Sequence, residues 1–155
     1  MSIKREYLSP CGMYCSVCSI RYAQLHNDQE LKLGLARFFG TEPENITCEG
    51  CRSDKKFQFA ETCNIRKCSM EKKLEGCHLC ADFPCQNIRS FPFEIAVNGM
   101  LEAVPRWREL GTESWVAELE KQYTCSQCGM LLHRHARQCN NCRTPFTKAA
   151  PSSSG

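Results

Sequence analysis

The sequence lacks the features that mark a membrane protein or a secreted protein. No stretch approaches the roughly 20 apolar residues that cross a bilayer. The opening segment, MSIKREYLSPCG, carries charges at Lys4, Arg5 and Glu6 but no apolar run of signal-peptide length. We therefore expect a cytoplasmic protein that makes no contact with a membrane.

Histidine is scarce, which limits the catalytic chemistry open to the chain. The 155 residues include four histidines, and no Ser/His/Asp or Cys/His catalytic motif surrounds any of them. His78 lies inside a C-x2-C pair and is expected to be a passenger. His133 and His135 are expected to be exposed loop residues. The sequence thus favours a protein that is not an enzyme.

Cysteine, by contrast, is abundant, with fourteen residues in the chain. Thiols in the cytoplasm are kept reduced, so these cysteines are better explained as metal ligands than as disulfides. Pairs with C-x2-C spacing support this, because the two sulfurs of such a pair curl around one ion. The pairs are Cys15/Cys18, Cys48/Cys51, Cys77/Cys80, Cys125/Cys128 and Cys139/Cys142.

The formal net charge of +3 overstates how basic the protein is. A zinc ion bound by four cysteines contributes a net charge of −2, so three such sites would change the total from +3 to −3. A general inference from positive charge to nucleic-acid binding is therefore excluded.

Composition divides the chain into four parts. Residues 1–90 are predicted to form a cysteine-rich metal-binding domain, and residues 91–122 a helical segment that packs on it or links to it. Residues 123–147 are predicted to form a zinc ribbon, and residues 148–155 a disordered tail. The predicted fold class is a small metal-stabilised α+β protein with short β-hairpins in the ribbon.

Two helices are predicted in the cysteine-rich part. In DQELKLGLARFFG, Asp28 suits the N-cap and Gly40 suits the position just past the end. A second helix is predicted from Thr62 to Gly76, with a basic, solvated face that includes Arg66.

The helical segment has its own landmarks. Pro105 is expected to break or kink the first helix, and Thr112 to cap the next one. Trp107 and Trp115 are expected to be core residues, because small metal-binding folds have little apolar volume of their own.

The stretch YTCSQCGMLLHRHARQCNNCRTPF gives the clearest signal for a structural zinc site. Two C-x2-C pairs separated by ten residues supply Cys125, Cys128, Cys139 and Cys142. Four sulfurs complete the tetrahedron that zinc prefers and leave no position for a substrate. The stretch resembles a zinc ribbon, except that Arg143 stands where such ribbons commonly have Gly.

The same stretch is locally basic, with four basic residues and no acidic one from Tyr123 onward: Arg134, Arg137, Arg143 and Lys148. These side chains could contact a phosphate backbone. Four cations without an aromatic platform are a weak signal, so we favour an unknown protein partner. Nucleic-acid binding is kept as an alternative.

The ten cysteines of the first part can be grouped in two ways. One grouping makes a finger of Cys48, Cys51, Cys63 and Cys68, and closes another site across Cys11, Cys15, Cys18, Cys77, Cys80 and Cys85. The grouping that we prefer pairs Cys48/Cys51 with Cys77/Cys80 and makes a second site of Cys11, Cys15, Cys18 and Cys85. It leaves Cys63 and Cys68 over.

The metal of these N-terminal sites is the second open question. The C-x3-C-x2-C spacing of CGMYCSVCSI also occurs in radical enzymes, but their barrels need about 200 residues or more, which this chain does not supply. We expect Zn²⁺ rather than [4Fe–4S]. The alternative is an iron–sulfur protein for electron transfer or redox sensing.

Four motifs in order, CGMYCSVC, CEGCRSD, CNIRKCSMEK and CHLCADFPC, resemble the domain-of-unknown-function 3795 family of small cysteine-rich prokaryotic proteins. The resemblance covers roughly residues 8–89. It implies a metal-binding domain without an assigned activity, to which the ribbon is an added module. Taken together, the sequence predicts a zinc-binding, non-enzymatic binding or adaptor protein with about three four-cysteine sites.

Overall fold

A computed structural model describes residues 3–148 of the protein. The described part contains seven α-helices: α1 (Ser19–Leu25), α2 (Gln29–Phe39), α3 (Gln58–Glu61), α4 (Asn64–Glu71), α5 (Gln86–Arg89), α6 (Glu94–Leu110) and α7 (Thr112–Gln122). It also contains four single turns of 3-10 helix: Arg5–Tyr7, Cys15–Val17, Pro43–Asn45 and Cys77–Leu79. Among these elements, none has the length and apolar character of a membrane-spanning helix. Of the predicted tail, only Lys148 lies within the described residues.

The α+β class predicted from the sequence is wrong. The structure is 51% helical, and residues 3–148 contain no β-strand, so the fold is helical. In place of the expected hairpins, the C-terminal segment (residues 123–147) has two isolated antiparallel bridges, between Thr124 and Leu131 and between Gln138 and Pro145. Pro145 has no N–H with which to extend a ladder, and tight turns at the cysteines use most of the remaining residues.

Helix α2 follows from its local sequence. The Asp28 side chain at the N-cap accepts a hydrogen bond from the Leu31 N–H at 3.0 Å. Gly40 ends the helix in the left-handed conformation, with φ of 65°. The half-buried side chains of α2 pack on a small core that contains Ala23, Ala36, Ile46 and Phe57.

Three other local predictions need correction. The helix predicted from Thr62 to Gly76 is limited to α4, because Lys73 adopts a left-handed φ of 56°. Helix α6 continues through Pro105, which lies on its exposed side. Helix α7 begins at Thr112, so Gly111 and not Thr112 occupies the N-cap.

The largest core joins the N-terminal segment, α6, α7 and the start of the C-terminal segment. Its buried members are Leu8, Tyr14, Val17, Trp107, Trp115, Val116, Leu119 and Tyr123. Both tryptophans are buried, as predicted.

Trp107 is the centre of this core. Its ring stacks on Trp115 at 4.3 Å and on His78 at 3.8 Å between centroids, with interplanar angles of 8° and 14°. Its Nε1–H donates to the Thr112 hydroxyl at 2.9 Å, and that hydroxyl donates to Glu75 Oε2 at 2.7 Å. The indole is thus packed on both faces and hydrogen-bonded at its polar edge.

The close approach of the chain to Trp107 predicts a sharp cost for a side chain at Gly76. A Cβ there would lie 2.5 Å and 2.6 Å from two carbons of the Trp107 ring. We expect Gly76→Ala to lower the free energy of unfolding by about 1–3 kcal/mol through overpacking. The measurement is urea denaturation at fixed metal concentration.

Gly34→Ala is the matched control. Gly34 lies within α2, and no atom lies within 4 Å of the position that a Cβ would take there. The same substitution at Gly34 should raise the free energy of unfolding by about 0.5–1 kcal/mol, because alanine favours helix. Equal stability of Gly76→Ala and the natural protein would contradict the packing argument.

Candidate metal centres

The C-terminal segment brings four cysteine sulfurs together. The Sγ atoms of Cys125, Cys128, Cys139 and Cys142 all lie within 4.8 Å of one another. The Cys125–Cys142 and Cys128–Cys139 sulfurs are 3.6 Å and 3.5 Å apart. Zn–S bonds of about 2.3 Å in a tetrahedron place sulfurs about 3.8 Å apart. The cluster therefore has the spacing of a site for a single metal ion.

Two copies of one turn build this cluster. The Gly129 N–H donates to the Cys125 carbonyl and the Arg143 N–H donates to the Cys139 carbonyl, both at 2.9 Å. In each copy the first cysteine also donates its N–H to the carbonyl five residues later, at 2.8 Å and 2.9 Å. Gly129 and Arg143 both have positive φ, at 76° and 63°. The second copy thus places an arginine in a conformation that favours glycine.

Hydrogen bonds in the cluster favour the thiolate form of its exposed members. The side chain and the main-chain N–H of Thr144 lower the pKa of Cys142 to about 6, and Thr144 Oγ1 lies 3.2 Å from its sulfur. The Asn141 side chain is the largest cause of the lowered pKa of Cys128. Thiolate is the metal-binding form of cysteine, so these contacts favour metal uptake.

In the N-terminal part, the Cys15–Cys18 turn faces the Cys48–Cys51 turn. A hydrogen bond between the Cys15 and Cys51 side chains lowers the pKa of Cys15 and raises that of Cys51. Burial raises the pKa of Cys18 to about 11, and the nearby thiols of Cys15 and Cys48 add to the rise. The Gly50 N–H points at the Cys48 sulfur, 3.4 Å away. This arrangement differs from both groupings considered from spacing.

A second N-terminal group lines a small cavity between α4, the Cys77–Leu79 turn and α5. Its cysteines are Cys68, Cys77, Cys80 and Cys85. The cavity has a volume of about 20 Å³. Burial is the main cause that raises the pKa of Cys77 to about 12. Lys72 places its Nζ 3.5 Å from the Cys80 sulfur and 3.1 Å from Asp82 Oδ2.

The two remaining cysteines lie beside these groups. Cys11 and Cys63 both border the small core of Ile65, Ile88 and Met100. Burial raises the pKa of Cys11 to about 11. Within residues 3–148, the C-terminal cluster is the group in which at least three potential ligand atoms lie within 4.8 Å of one another. Metal binding by the ten N-terminal cysteines therefore stays a prediction.

Arginine side chains position the cysteine turns, a role that the sequence did not reveal. Arg52 follows Cys51 directly. Its guanidinium donates to the carbonyls of Leu8 at 2.9 Å and Leu74 at 3.3 Å, and also to that of Glu75. It therefore joins the N-terminal segment to the loop before Cys77.

Two further arginines act in the same way. Arg108 of α6 donates to the carbonyls of His78 at 2.8 Å and Cys80 at 3.0 Å. Arg66 of α4, expected on a solvated face, is half-buried and donates to the Cys51 carbonyl at 2.6 Å. A guanidinium has five N–H donors, which suits irregular loops whose carbonyls have no partner in a helix.

The histidines of the C-terminal segment have different environments. His135 is exposed, as expected, but His133 is buried at 7% exposure, so that expectation was wrong. Its Nδ1 lies 3.2 Å from Ser19 Oγ, and its ring centroid is 5.0 Å from that of Tyr22. His133 thus packs the C-terminal segment on α1.

The four basic residues at the C-terminal end differ in their contacts: two interact with other side chains of the protein, and the other two border an open cleft. Arg134 lies over the ring of Tyr123 at 5.7 Å from the centroid, and Lys148 pairs with Glu102 at 3.7 Å. Arg137 and Arg143 are exposed and border an open cleft of about 680 Å³ between α2 and the C-terminal segment.

The positive φ of Arg143 predicts a stabilising substitution. We expect Arg143→Gly to exceed Arg143→Ala in free energy of unfolding by about 1 kcal/mol, since only glycine adopts φ of 63° without a Cβ penalty. Both variants lose the same charge, so their difference isolates the backbone effect. Denaturant unfolding at matched zinc concentration measures it, and equal values would contradict the assignment of strain.

The burial of His133 predicts a pH dependence of stability. Burial is the main cause that lowers the pKa of His133 to about 4, below the 6.5 of a free side chain. The folded protein therefore favours neutral His133, and its contribution is complete above pH 6.5 and lost as the pH falls towards 4. Within that window, each fall of one pH unit should lower the free energy of unfolding by about 1.4 kcal/mol.

Unfolding should be compared at pH 7.5 and 5.5 for the natural protein and two variants. His133→Asn keeps a hydrogen-bonding side chain but removes the titration, so its stability should fall less on acidification. His26→Asn changes an exposed histidine of the same surface and should leave the pH dependence unchanged. Thiolate protonation is common to all three proteins. Parallel profiles for His133→Asn and the natural protein would disprove the assignment.

Comparison with known proteins gives a family and little else. Residues 7–90 match the family described as protein of unknown function (DUF3795). The match includes all ten N-terminal cysteines: the eight of the two groups, and Cys11 and Cys63 beside them. It ends before α6. No curated protein and no solved structure matches the chain. Because the match covers more than half of the 155 residues, the chain belongs to the DUF3795 family.

Proposed function

We propose that this protein is a zinc-binding, non-enzymatic binding or adaptor protein whose fold is stabilised by about three four-cysteine metal sites. The observation that carries the proposal is the C-terminal cluster, with four sulfurs within 4.8 Å of one another. Four cysteine ligands complete the coordination of zinc and leave no open position for a substrate or a reactive water. Such a site serves structure rather than catalysis.

The spacing within the cluster supports a single ion. Opposed sulfurs lie 3.5 Å and 3.6 Å apart. In a [4Fe–4S] cluster each of the four thiolates is bonded to a different iron, so the four sulfurs lie farther from one another. The C-terminal site therefore favours zinc, and the iron–sulfur alternative concerns the N-terminal cysteines alone.

The small size of the packed units supports a stabilising role for metal. Helices α3 and α5 have four residues each, far below the length at which an isolated helix is stable. Zinc contributes roughly 10–16 kcal/mol of apparent folding free energy in small zinc-finger peptides. That is comparable with the roughly 5–15 kcal/mol of total stability of an ordinary domain. All fourteen cysteines are free thiols, which keeps them available as ligands.

A protein is the partner that we propose. Arg134 and Lys148 are engaged within the chain, which leaves two exposed C-terminal cations for a phosphate backbone. Apolar surface is also present, since the side chains of Phe38 and Phe59 are 59% and 36% exposed. Nucleic-acid binding stays the alternative. This alternative would be supported by a gel shift that weakens as the salt concentration rises and that also weakens in Arg137→Gln.

Metal analysis tests the proposal. Protein purified without oxygen should be colourless and contain about three zinc ions per chain. Complete removal of metal by a chelator should reduce the helical far-UV circular dichroism, because metal sites hold the short N-terminal helices in place. An unchanged spectrum after complete removal would refute the stabilising role.

One variant and its control test the C-terminal site itself. Cys128→Ser should lose one zinc ion and keep most of the helical signal, because residues 123–147 contain no helix. Ser126→Ala changes an exposed residue of the same turn and should keep the full metal content. Retention of all metal by Cys128→Ser would exclude zinc from the C-terminal cluster.

A further inference from the structure

We propose that Cys68, Cys77, Cys80 and Cys85 bind one zinc ion in the cavity between α4, the Cys77–Leu79 turn and α5, with Lys72 as a hydrogen-bond donor to Cys80. This inference rests on the proposed function and gives one of its N-terminal ions a ligand set. The set differs from both groupings that the spacing of the cysteines suggested.

The cavity supplies the first argument. All four cysteines line it, and three of the six other lining residues are apolar: Ile65, Leu74 and Phe83. Its volume of about 20 Å³ holds about one water-sized sphere. Four thiols around one small enclosed space suit a single metal ion.

Two of the ligands lie on a turn that is held from outside. The Cys80 N–H donates to the Cys77 carbonyl at 3.0 Å, as the Cys18 N–H donates to the Cys15 carbonyl at 3.1 Å. The Cys77 N–H donates to the Pro10 carbonyl at 2.9 Å, and Arg108 bonds the carbonyl of Cys80 at 3.0 Å. Cys77 and Cys80 are thus fixed before a metal binds.

The other two ligands come from the helices that face this turn. Cys68 belongs to α4, and Cys85 directly precedes α5. The two helices pack through Ile65 and Ile88, which are 3% and 0% exposed. No three of the four sulfurs lie within 4.8 Å of one another. Coordination at about 2.3 Å therefore requires the cysteine side chains to rotate towards one point, or α4 and α5 to move closer to the turn.

Lys72 supplies the charge that such a site requires. Four thiolates around a divalent ion leave a net charge of −2, which is costly beside apolar side chains. The ammonium lies 3.5 Å from the Cys80 sulfur, and Asp82 holds it on the other side at 3.1 Å. A hydrogen bond to a ligand sulfur from outside the coordination sphere stabilises the charged ligand.

Metal stoichiometry of cysteine variants tests the ligand set. Cys80→Ser and Cys85→Ser should each contain one zinc ion fewer than the natural protein. Cys63→Ser is the matched control, because Cys63 lies in the same part of the chain but does not line the cavity, and it should keep the full count. Loss of an ion from Cys63→Ser but not from Cys80→Ser would overturn the assignment. So would iron–sulfur absorbance that disappears in Cys80→Ser.

Zinc contents of the natural protein and its variants distinguish the failure of this inference from the failure of the proposed function. Natural protein without zinc would refute both. Natural protein whose zinc content falls in Cys128→Ser and not in Cys80→Ser or Cys85→Ser would refute this inference alone.

A lysine variant keeps the test valid if a cysteine variant does not fold. Lys72 is 41% exposed, so Lys72→Gln should leave the fold intact. It should speed the release of one zinc ion to a chelator by about tenfold, since a hydrogen bond to a charged group is lost. Lys67→Gln, an exposed lysine on α4, should release all ions at the natural rate. Unchanged release from Lys72→Gln would remove Lys72 from the site.

Discussion

The stack of His78, Trp107 and Trp115 is the interaction on which the rest of the structure depends. It joins a cysteine-bearing turn to the consecutive helices α6 and α7, which lie later in the chain. Burial lowers the pKa of His78, so the ring is neutral at neutral pH and packs as an aromatic side chain. Gly76 permits the approach, because its missing Cβ leaves room for Trp107. The position of Cys77 and Cys80 is thus set by packing rather than by a regular element.

Irregular backbone creates a second requirement, which the arginines meet. The cysteine turns and their loops have carbonyls that no helix satisfies, and an unpaired buried carbonyl is costly. Arg52, Arg66 and Arg108 each donate to such carbonyls from another part of the chain. These arginines of the N-terminal part and α6 therefore stabilise the fold by pairing main-chain carbonyls. A count of basic residues cannot separate these side chains from solvated ones.

Features set by neighbours in sequence could be predicted, and features set by distant contacts could not. Helix α2 has its cap, its apolar face and its terminal glycine within thirteen residues, so the sequence indicates both ends. The pairing of Cys15/Cys18 with Cys48/Cys51 depends on how α1 and α2 turn the chain back, which spacing does not encode. His133 resembles a loop residue in sequence, and only its contact with Ser19 accounts for its burial. The expected hairpins failed because Pro145 and the cysteine turns leave no room for a ladder.

The same contrast separates the two groups of cysteines. The C-terminal cysteines lie on two turns 14 residues apart, each closed by its own main-chain hydrogen bonds, and their sulfurs are already within bonding range of one ion. The N-terminal cysteines lie on segments that the core must first bring together, and no three of their sulfurs lie within 4.8 Å of one another. If these cysteines bind metal as we propose, part of the binding free energy would be used to order the chain, which would lower the apparent affinity. Metal content at the proposed N-terminal sites would then depend on the state of the fold more strongly than metal content at the C-terminal cluster.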